Sequence, residues 1–407
     1  MYDLATFGAW AEFAVRWLHV ITAIAWIGSS FYFIALDLGL HRDRNLATGA
    51  DGEEWQVHGG GFYHIQKYLV APDQMPSDLV WFKWESYATW LSGFALLALV
   101  YYLGAEFYLI DPNIADLSPW QAIGISIASL AFGWLVYNTL CNVFVNANQT
   151  VLMVALFFVL VGMAVFYTNV FTGRAALLHL GAFTATIMSA NVFMIIIPNQ
   201  KIVVADLIAG RTPDAKYGKI AKQRSTHNNY LTLPVIFMML SNHYPLAFGT
   251  EYTWLIASLV FLMGVSIRHF FNSMHARKGM PWGAWLVTVI LFIAVMGLST
   301  APLFKADDVE EVRRSDLRFA EAAGFEEVHD IVLGRCSMCH AAEPAWDGLY
   351  WAPKGVRLET EAQVAHFARD IYLQAGVSHA MPPANISFID DDERAAIRKW
   401  YQAAVDG

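Results

Sequence analysis

Long uncharged stretches alternate with short polar ones through the first three-quarters of the chain. Segments free of Asp, Glu, Lys and Arg run over residues 17–36, 86–105, 117–173, 175–200, 225–250, 252–267 and 279–304. A bilayer-crossing helix needs about 20 mostly apolar residues, so most of these stretches predict one span each. The 117–173 stretch is too long for one helix, and Asn146-Ala147-Asn148-Gln149 divides it. The pattern therefore predicts about eight spans, over residues 12–36, 86–105, 119–143, 151–171, 175–198, 230–248, 252–274 and 281–303. The first does not read as a cleaved leader, because it lacks a small-residue cleavage site and runs on into Leu36-Asp37. No repeat of fixed period is present. After Lys305 the pattern becomes polar, and 390–405 reads as an amphipathic helix carrying Ala395, Ile397, Trp400 and Tyr401. The expected fold class is all-α, with a polytopic membrane helix bundle over 1–305 followed by a small domain over 306–407.

Charge sharpens that division. Hydrophobic residues make up 57% of the chain and charged residues only 15%, against about 25% charge in soluble domains. Residues 1–305 carry 16 Lys+Arg and 16 Asp+Glu, whereas 306–407 carry 10 and 19, so the whole net charge of -9 belongs to the tail. The acidic stretch Asp307–Glu311 marks a short charged hinge. Disorder and a disulfide scaffold are excluded. Nucleic acid is not an expected partner, since no basic block exists. Lys and Arg mark the cytoplasmic side of a membrane protein. Thirteen of the 16 in the first part fall in 37–85, in 199–229 and at 268–278; only Arg16, Arg174 and Lys305 lie opposite. An even number of spans then puts both termini outside, and the acidic tail in the periplasm or its equivalent.

The tail carries the strongest motif, Cys336-Ser337-Met338-Cys339-His340. This C-x-x-C-H spacing is the attachment signature of c-type haem. Two thiols one helical turn apart add to the vinyl groups, and His340 then lies under the iron. A zinc half-site is the alternative, but no second Cys pair exists. Met381, in Met381-Pro382-Pro383, is the second axial ligand the tail offers, since its other Met lies inside the motif. In order and spacing the tail resembles a class I cytochrome c. Cys141 is alone in the third span and reads as packing.

Ionisable groups inside a bilayer are costly and tend to be functional. His19 and His179 fall at matched depth in the outer halves of their spans, near Arg16 and Arg174. They are the candidate ligand pair for a haem b, whose propionates would meet the cations. The bland alternative is a helix–helix hydrogen bond at each. Polar groups also gather at the inner span ends. Asn138, Asn142 and Asn146 recur every fourth residue on one helix face. Glu85 opens the second span, Asn199-Gln200 closes the fifth, His227-Asn228-Asn229-Tyr230 opens the sixth, and Arg268, His269, Asn272 and His275 close the seventh. The inside loop adds His58-Gly59-Gly60-Gly61-Phe62-Tyr63-His64. Together they predict a pocket for a polar planar ligand, with amides as donor–acceptor pairs and an arginine fork. His41, His64, His227, His269 and His275 are the alternative ligands for a second haem. There is no G-x-G-x-x-G after a strand, no P-loop and no hydrolase ordering.

With His58–Tyr63 (HGGGFY), Thr226–Tyr230 (THNNY), Ser241–Pro245 (SNHYP), Arg268–Asn272 (RHFFN) and the Cys336–His340 motif, the chain resembles the bacterial membrane-bound urate oxidases. These join an eight-span membrane domain to a C-terminal cytochrome c, in the bacterial inner membrane. The resemblance covers nearly the full length and implies urate as substrate. It also implies oxidation with water to 5-hydroxyisourate, with two electrons leaving to the cytochrome and no hydrogen peroxide formed. A downstream acceptor, a soluble cytochrome or terminal oxidase, would follow. On that reading Arg268 pairs the urate anion and Asn142, Asn228 and Asn272 read its amide edges. His227, His269 or Glu85 takes the proton. The rival classes are a quinol-oxidising cytochrome b–c fusion and a transporter or sensor with an appended cytochrome.

Overall fold

The long apolar stretches fold as helices in the computed structural model, which describes residues 4–69, 76, 78–112, 114–144, 149–304, 309, 311–347, 349 and 352–406. Two units are separable, Met1–Ser299 and Thr300–Gly407. In the first, α1 (Leu4–Gly39) precedes a hairpin of β1 (Ala50–His58) and β2 (Gly61–Tyr68). Next comes α2 (Trp84–Leu97), which runs into a π-helical turn at Ala98–Tyr102, and the short α3 (Ala105–Tyr108). Then follow α4 (Pro119–Val143), α5 (Gln149–Thr168) and α6 (Gly173–Ala190), the last continuing through a second π turn, Asn191–Ile196, into α7 (Ile197–Ile208). The unit closes with α8 (Ala215–Leu240), α9 (Thr253–His275) and α10 (Gly283–Phe304). Local chemistry sets several starts. Ser118 caps α4 through a reciprocal box with Gln121, Thr172 accepts from the Ala175 N–H, and Asp214 accepts from the Lys216 N–H.

Among the described residues, six helices are long and apolar enough to cross a membrane: Phe7–Gly39, Pro119–Val143, Gln149–Thr168, Gly173–Ile208, Thr253–His275 and Gly283–Thr300. The other two expected spans are helical but differ in character. The 86–105 segment changes to π geometry at Ala98, and α8 carries Lys216, Lys219, Lys222 and Arg224 in its first half. The divider at Asn146–Asn148, and Lys305 with much of the acidic stretch after it, lie outside the described residues.

The α6 helix is central. Ala175, Leu180, Phe183 and Ile187 are buried against Leu130, Leu156, Met163, Met238, Ile256 and Val260 of α4, α5, α8 and α9. By contrast α1 and α10 lie at the periphery, with Phe7, Trp10, Ile24, Leu286, Ile290 and Phe292 exposed. Close approach of α8 and α9 depends on one glycine. A Cβ at Gly264 would lie 2.5 Å from Pro234 Cδ, inside the ring that interrupts α8. Overpacking of this kind costs about 1–3 kcal/mol. Gly264→Ala should therefore lower the thermal unfolding midpoint of the purified protein followed by circular dichroism. An unchanged midpoint would mean the two helices separate freely.

A hairpin stands where the hydrophobic pattern predicts only an inside loop. The strands pair antiparallel, Trp55 opposite His64 and Val57 opposite Phe62. Gly59 and Gly60 both take positive φ, 58° and 79°, the geometry a two-residue hairpin turn demands. HGGGFY is thus a chain reversal first. His64 stacks on Trp55 and bonds Glu53 at 2.8 Å.

The second unit contains α11 (Leu317–Ala320), α12 (Phe325–His340), α13 (Glu361–His366), α14 (Ala368–Ile371) and α15 (Asp391–Asp406). Its core joins Phe319, Phe325, Val328, Val332, Leu358, Val364, Ile371, Ile397 and Trp400. The Trp400 indole donates to the Phe319 carbonyl at 2.8 Å. A fork from Arg335 to Glu393, at 2.8–3.1 Å, ties α12 to α15.

Candidate functional site

Buried polar chemistry in the first unit centres on α8. Arg224, His227, Asn228, Asn229 and Thr232 are all buried. They fall on two faces because each residue turns the helix by about 100°.

The first face meets α4 and the π turn after α6. Arg224 is 1% exposed. Its Nη2 donates to Asn138 Oδ1 at 2.9 Å and its Nη1 to Asn191 Oδ1 at 3.4 Å. The guanidinium also lies 4.9 Å from the Tyr137 ring centroid. Asn191 opens the π turn and donates through Nδ2 to Tyr137 Oη and to Asn228 Oδ1, both at 2.9 Å. Asn228 in turn donates to the Met188 carbonyl at 2.9 Å, and Tyr137 Oη meets His227 Nδ1 at 2.8 Å. Single-turn π segments recur at functional sites, and here the extra residue aims Asn191 at three partners.

The second face meets α9 and α1. Arg268 donates to Asn229 Oδ1 from Nε at 3.3 Å and from Nη2 at 3.2 Å, and to Asn272 Oδ1 at 3.0 Å. Asn272 Nδ2 also donates to Asn229 Oδ1, at 3.0 Å. The Phe31 ring covers the guanidinium at 4.2 Å.

Both clusters share one electrostatic feature. Each holds a buried guanidinium on amide oxygens, and among the described residues neither cation pairs with a carboxylate. A buried charge without a counter-charge costs several kcal/mol. Each cluster also leaves a buried donor unbonded, Arg224 Nε in one and Asn229 Nδ2 in the other. Such a donor set suits an anionic group rich in hydrogen-bond acceptors.

Six sequence-derived candidates thus fall in these clusters, Asn138, His227 and Asn228 in the first, Asn229, Arg268 and Asn272 in the second. Asn142 does not join them. The inward stripe of α4 runs through Gly133, Tyr137 and Cys141, and Asn142 lies one residue past it, exposed. The same offset exposes His269 beside Arg268, where it faces Tyr230 Oη at 3.5 Å. Glu85 keeps a buried, unbonded Oε2 at the start of α2. Its neighbour Ser86 bonds Ser189, two residues before Asn191, at 3.2 Å. Asn146 lies outside the described residues. Sequence reading misses Arg224, Asn191 and Tyr137 as site residues; an Asn well inside the apolar 175–200 stretch is the available signal for Asn191.

His19 and His179 have separate surroundings. His19 Nδ1 lies 3.1 Å from the Thr89 carbonyl and 3.2 Å from Ser92 Oγ on α2. His179 is fully buried, its Nδ1 donating to the Ala175 carbonyl and its Nε2 bonded to Ser126 Oγ, each at 2.8 Å. Tyr101, Tyr167 and Phe171 pack around its ring. Both His179 nitrogens are engaged within the protein, which does not fit an iron ligand. His41 meets Arg277, His64 meets Glu53, and His275 Nδ1 is unbonded. Among the described residues no group of three His, Cys, Asp or Glu side chains forms a metal site.

The tail motif is arranged as its chemistry requires. Cys336 and Cys339 are free thiols on the last turn of α12. Burial, with Cys339 alongside, pushes the Cys336 thiol up to about 11. His340 Nδ1 donates to the Val356 carbonyl at 2.9 Å, which leaves the Nε2 lone pair for a metal. Burial holds this imidazole below its ordinary pKa and so favours the neutral, ligating form. Met381 packs against the tail core. Its N–H donates to the Gln374 carbonyl at 2.8 Å, and the buried Arg394 donates to its carbonyl at 3.0 Å. These residues fit a c-type haem.

A family model described as urate oxidase N-terminal matches residues 5–299. The match ends where the first unit ends. No curated protein and no solved structure matches the chain.

Proposed function

The chain belongs to the urate oxidase N-terminal family, and from that premise we propose that its first unit is a membrane-embedded urate oxidase. Urate plus water becomes 5-hydroxyisourate, releasing two electrons and two protons. The oxygen comes from water, so neither dioxygen consumption nor hydrogen peroxide is expected. The observation that carries this reading is the pair of buried guanidinium groups that have no carboxylate partner among the described residues, each beside an unbonded donor. Urate is planar, anionic at neutral pH and ringed with carbonyl acceptors, which suits that donor set.

Arg268 faces the anionic edge of the purine. Asn229 and Asn272 read its carbonyl and N–H positions from one side, and Asn228 and His227 from the other. The leaving proton needs a base, and Glu85, half-buried with its Oε2 shielded, precedes Ser86, which bonds Ser189. Cys336, Cys339, His340 and Met381 would hold a c-type haem in the tail, and that group when bound supplies a one-electron acceptor. Eight spans in the bacterial inner membrane, with both termini outside, complete the reading. The electrons then pass to a soluble cytochrome or terminal oxidase.

The test is an anaerobic spectrum of the oxidised, haem-loaded protein before and after urate. Growth of reduced c-type absorbance is expected, together with 5-hydroxyisourate. No change with urate, but reduction by a quinol, would overturn the reading in favour of a quinol-oxidising b–c fusion.

A further inference from the structure

The hydrogen bonds around Arg224 have a direction. A guanidinium only donates. It therefore turns Asn138 Oδ1 and Asn191 Oδ1 toward itself. With its oxygen so placed, Asn191 presents its NH2 to Tyr137 Oη and Asn228 Oδ1. The Asn228 amide is fixed the same way, since its own NH2 goes to the Met188 carbonyl. Tyr137 Oη, already an acceptor, has one proton left to give. Its hydrogen-bond neighbours that accept are His227 Nδ1 at 2.8 Å and the Cys141 thiol, and sulfur is the weaker acceptor. The tyrosine proton thus goes to His227 Nδ1.

A neutral imidazole that accepts at Nδ1 carries its proton on Nε2. His227 Nε2 has no hydrogen-bond partner among the described residues. We propose that Arg224, Asn191 and Tyr137 form a positioning relay that locks His227 as an Nε2–H donor, so that His227 binds an acceptor atom of the substrate and is not the base. The substrate class rests on the urate reading above; the direction of the relay does not. In that reaction a proton leaves the purine and negative charge grows on its oxygens. A fixed N–H donor stabilises that charge without itself gaining or losing a proton. Removing one such donor costs about 10²–10³ in rate.

Three variants of the haem-loaded full chain separate donor from base. His227→Ala should lower kcat for urate-driven reduction by about 100-fold. In His227→Gln an amide N–H stands near the Nε2 position but cannot act as a base. It should stay within about tenfold of wild type, a loss of one hydrogen bond's worth. Tyr137→Phe should lower kcat about tenfold and move KM less than about threefold, since its role is orientation rather than binding. Nitrogen-15 spectra of histidine-labelled protein give a readout independent of urate. The signal absent from His227→Gln should belong to an Nε2–H tautomer, and Tyr137→Phe should change it to a mixture. Glutamine as inactive as alanine, or an Nδ1–H signal in wild type, would overturn the relay. If the tautomer is as stated but wild type does not oxidise urate, the urate reading falls and the relay stands.

Discussion

Arg268→Ala should abolish urate-driven reduction while leaving covalent haem content at the wild-type level. The guanidinium is 5% exposed and held by Asn229 and Asn272, so a partner anion meets it with little water between. Breaking a buried charge pair by removing one partner costs about 3–5 kcal/mol, or roughly 10²–10⁴ in kcat/KM at about 1.4 kcal/mol per decade. Arg268→Lys should recover only part of this. A lysine cannot span both amide oxygens in one plane or stack on Phe31, which lies 4.2 Å away. Steady-state kinetics and a haem stain on the same preparations check both statements. Full activity in Arg268→Ala would remove this residue from the site.

The double change Cys336→Ala/Cys339→Ala should reduce covalent haem to background and take urate-driven electron flow with it. Both thiols sit on one turn of α12, directly before the imidazole whose Nε2 is left free by the Val356 carbonyl. Without thioether bonds nothing fixes a porphyrin at that imidazole. Met381→Ala should behave differently. Covalent haem stays, while the potential falls, because a Met/His pair raises it relative to other axial sets. A peroxidase stain on a denaturing gel, with redox titration of the single variant, separates the two. Covalent haem that survives loss of both cysteines would refute the assignment.

Helix chemistry was legible where periodicity and charge act alone. The uncharged stretches predict long helices because a long apolar run satisfies its backbone only by coiling. Arg268 and Asn272, four apart, share a face in sequence and in the fold. Legibility fails where a one-residue offset decides. Asn138 and Asn142 are also four apart, yet Asn138 sits at the edge of the buried stripe of α4. The 40° drift per four residues carries Asn142 out of it. His227, Asn228 and Asn229 are consecutive, so they serve two clusters rather than one pocket wall. Arg224 was read only as a topology charge, because nothing local distinguishes a buried arginine from a solvated one. Asn191 becomes a hub through a π turn, which no pattern of apolar residues announces. The glycines of HGGGFY fit a hairpin turn, but the strands beside them lack clean apolar alternation.

The π turn at Asn191–Ile196 gives the protein an unusual response to loss of a residue. A π turn is an α-helix with one residue too many. Deleting a residue from an ordinary buried helix rotates everything beyond it by about 100° and destroys its packing on one side. Here a deletion within Val192–Ile196 would remove the extra residue, leaving helix on both sides of Pro198, whose missing N–H still interrupts the ladder. The segment beyond the deletion would turn by about 100°, taking Ile197 away from its packing against Ala221. Asn191 would lose the bulge that points it at Arg224, Tyr137 and Asn228. Such a chain would still make a membrane-length helix and would fail at its chemistry, so single-residue length change, more than substitution, is the mutation this helix is built to register.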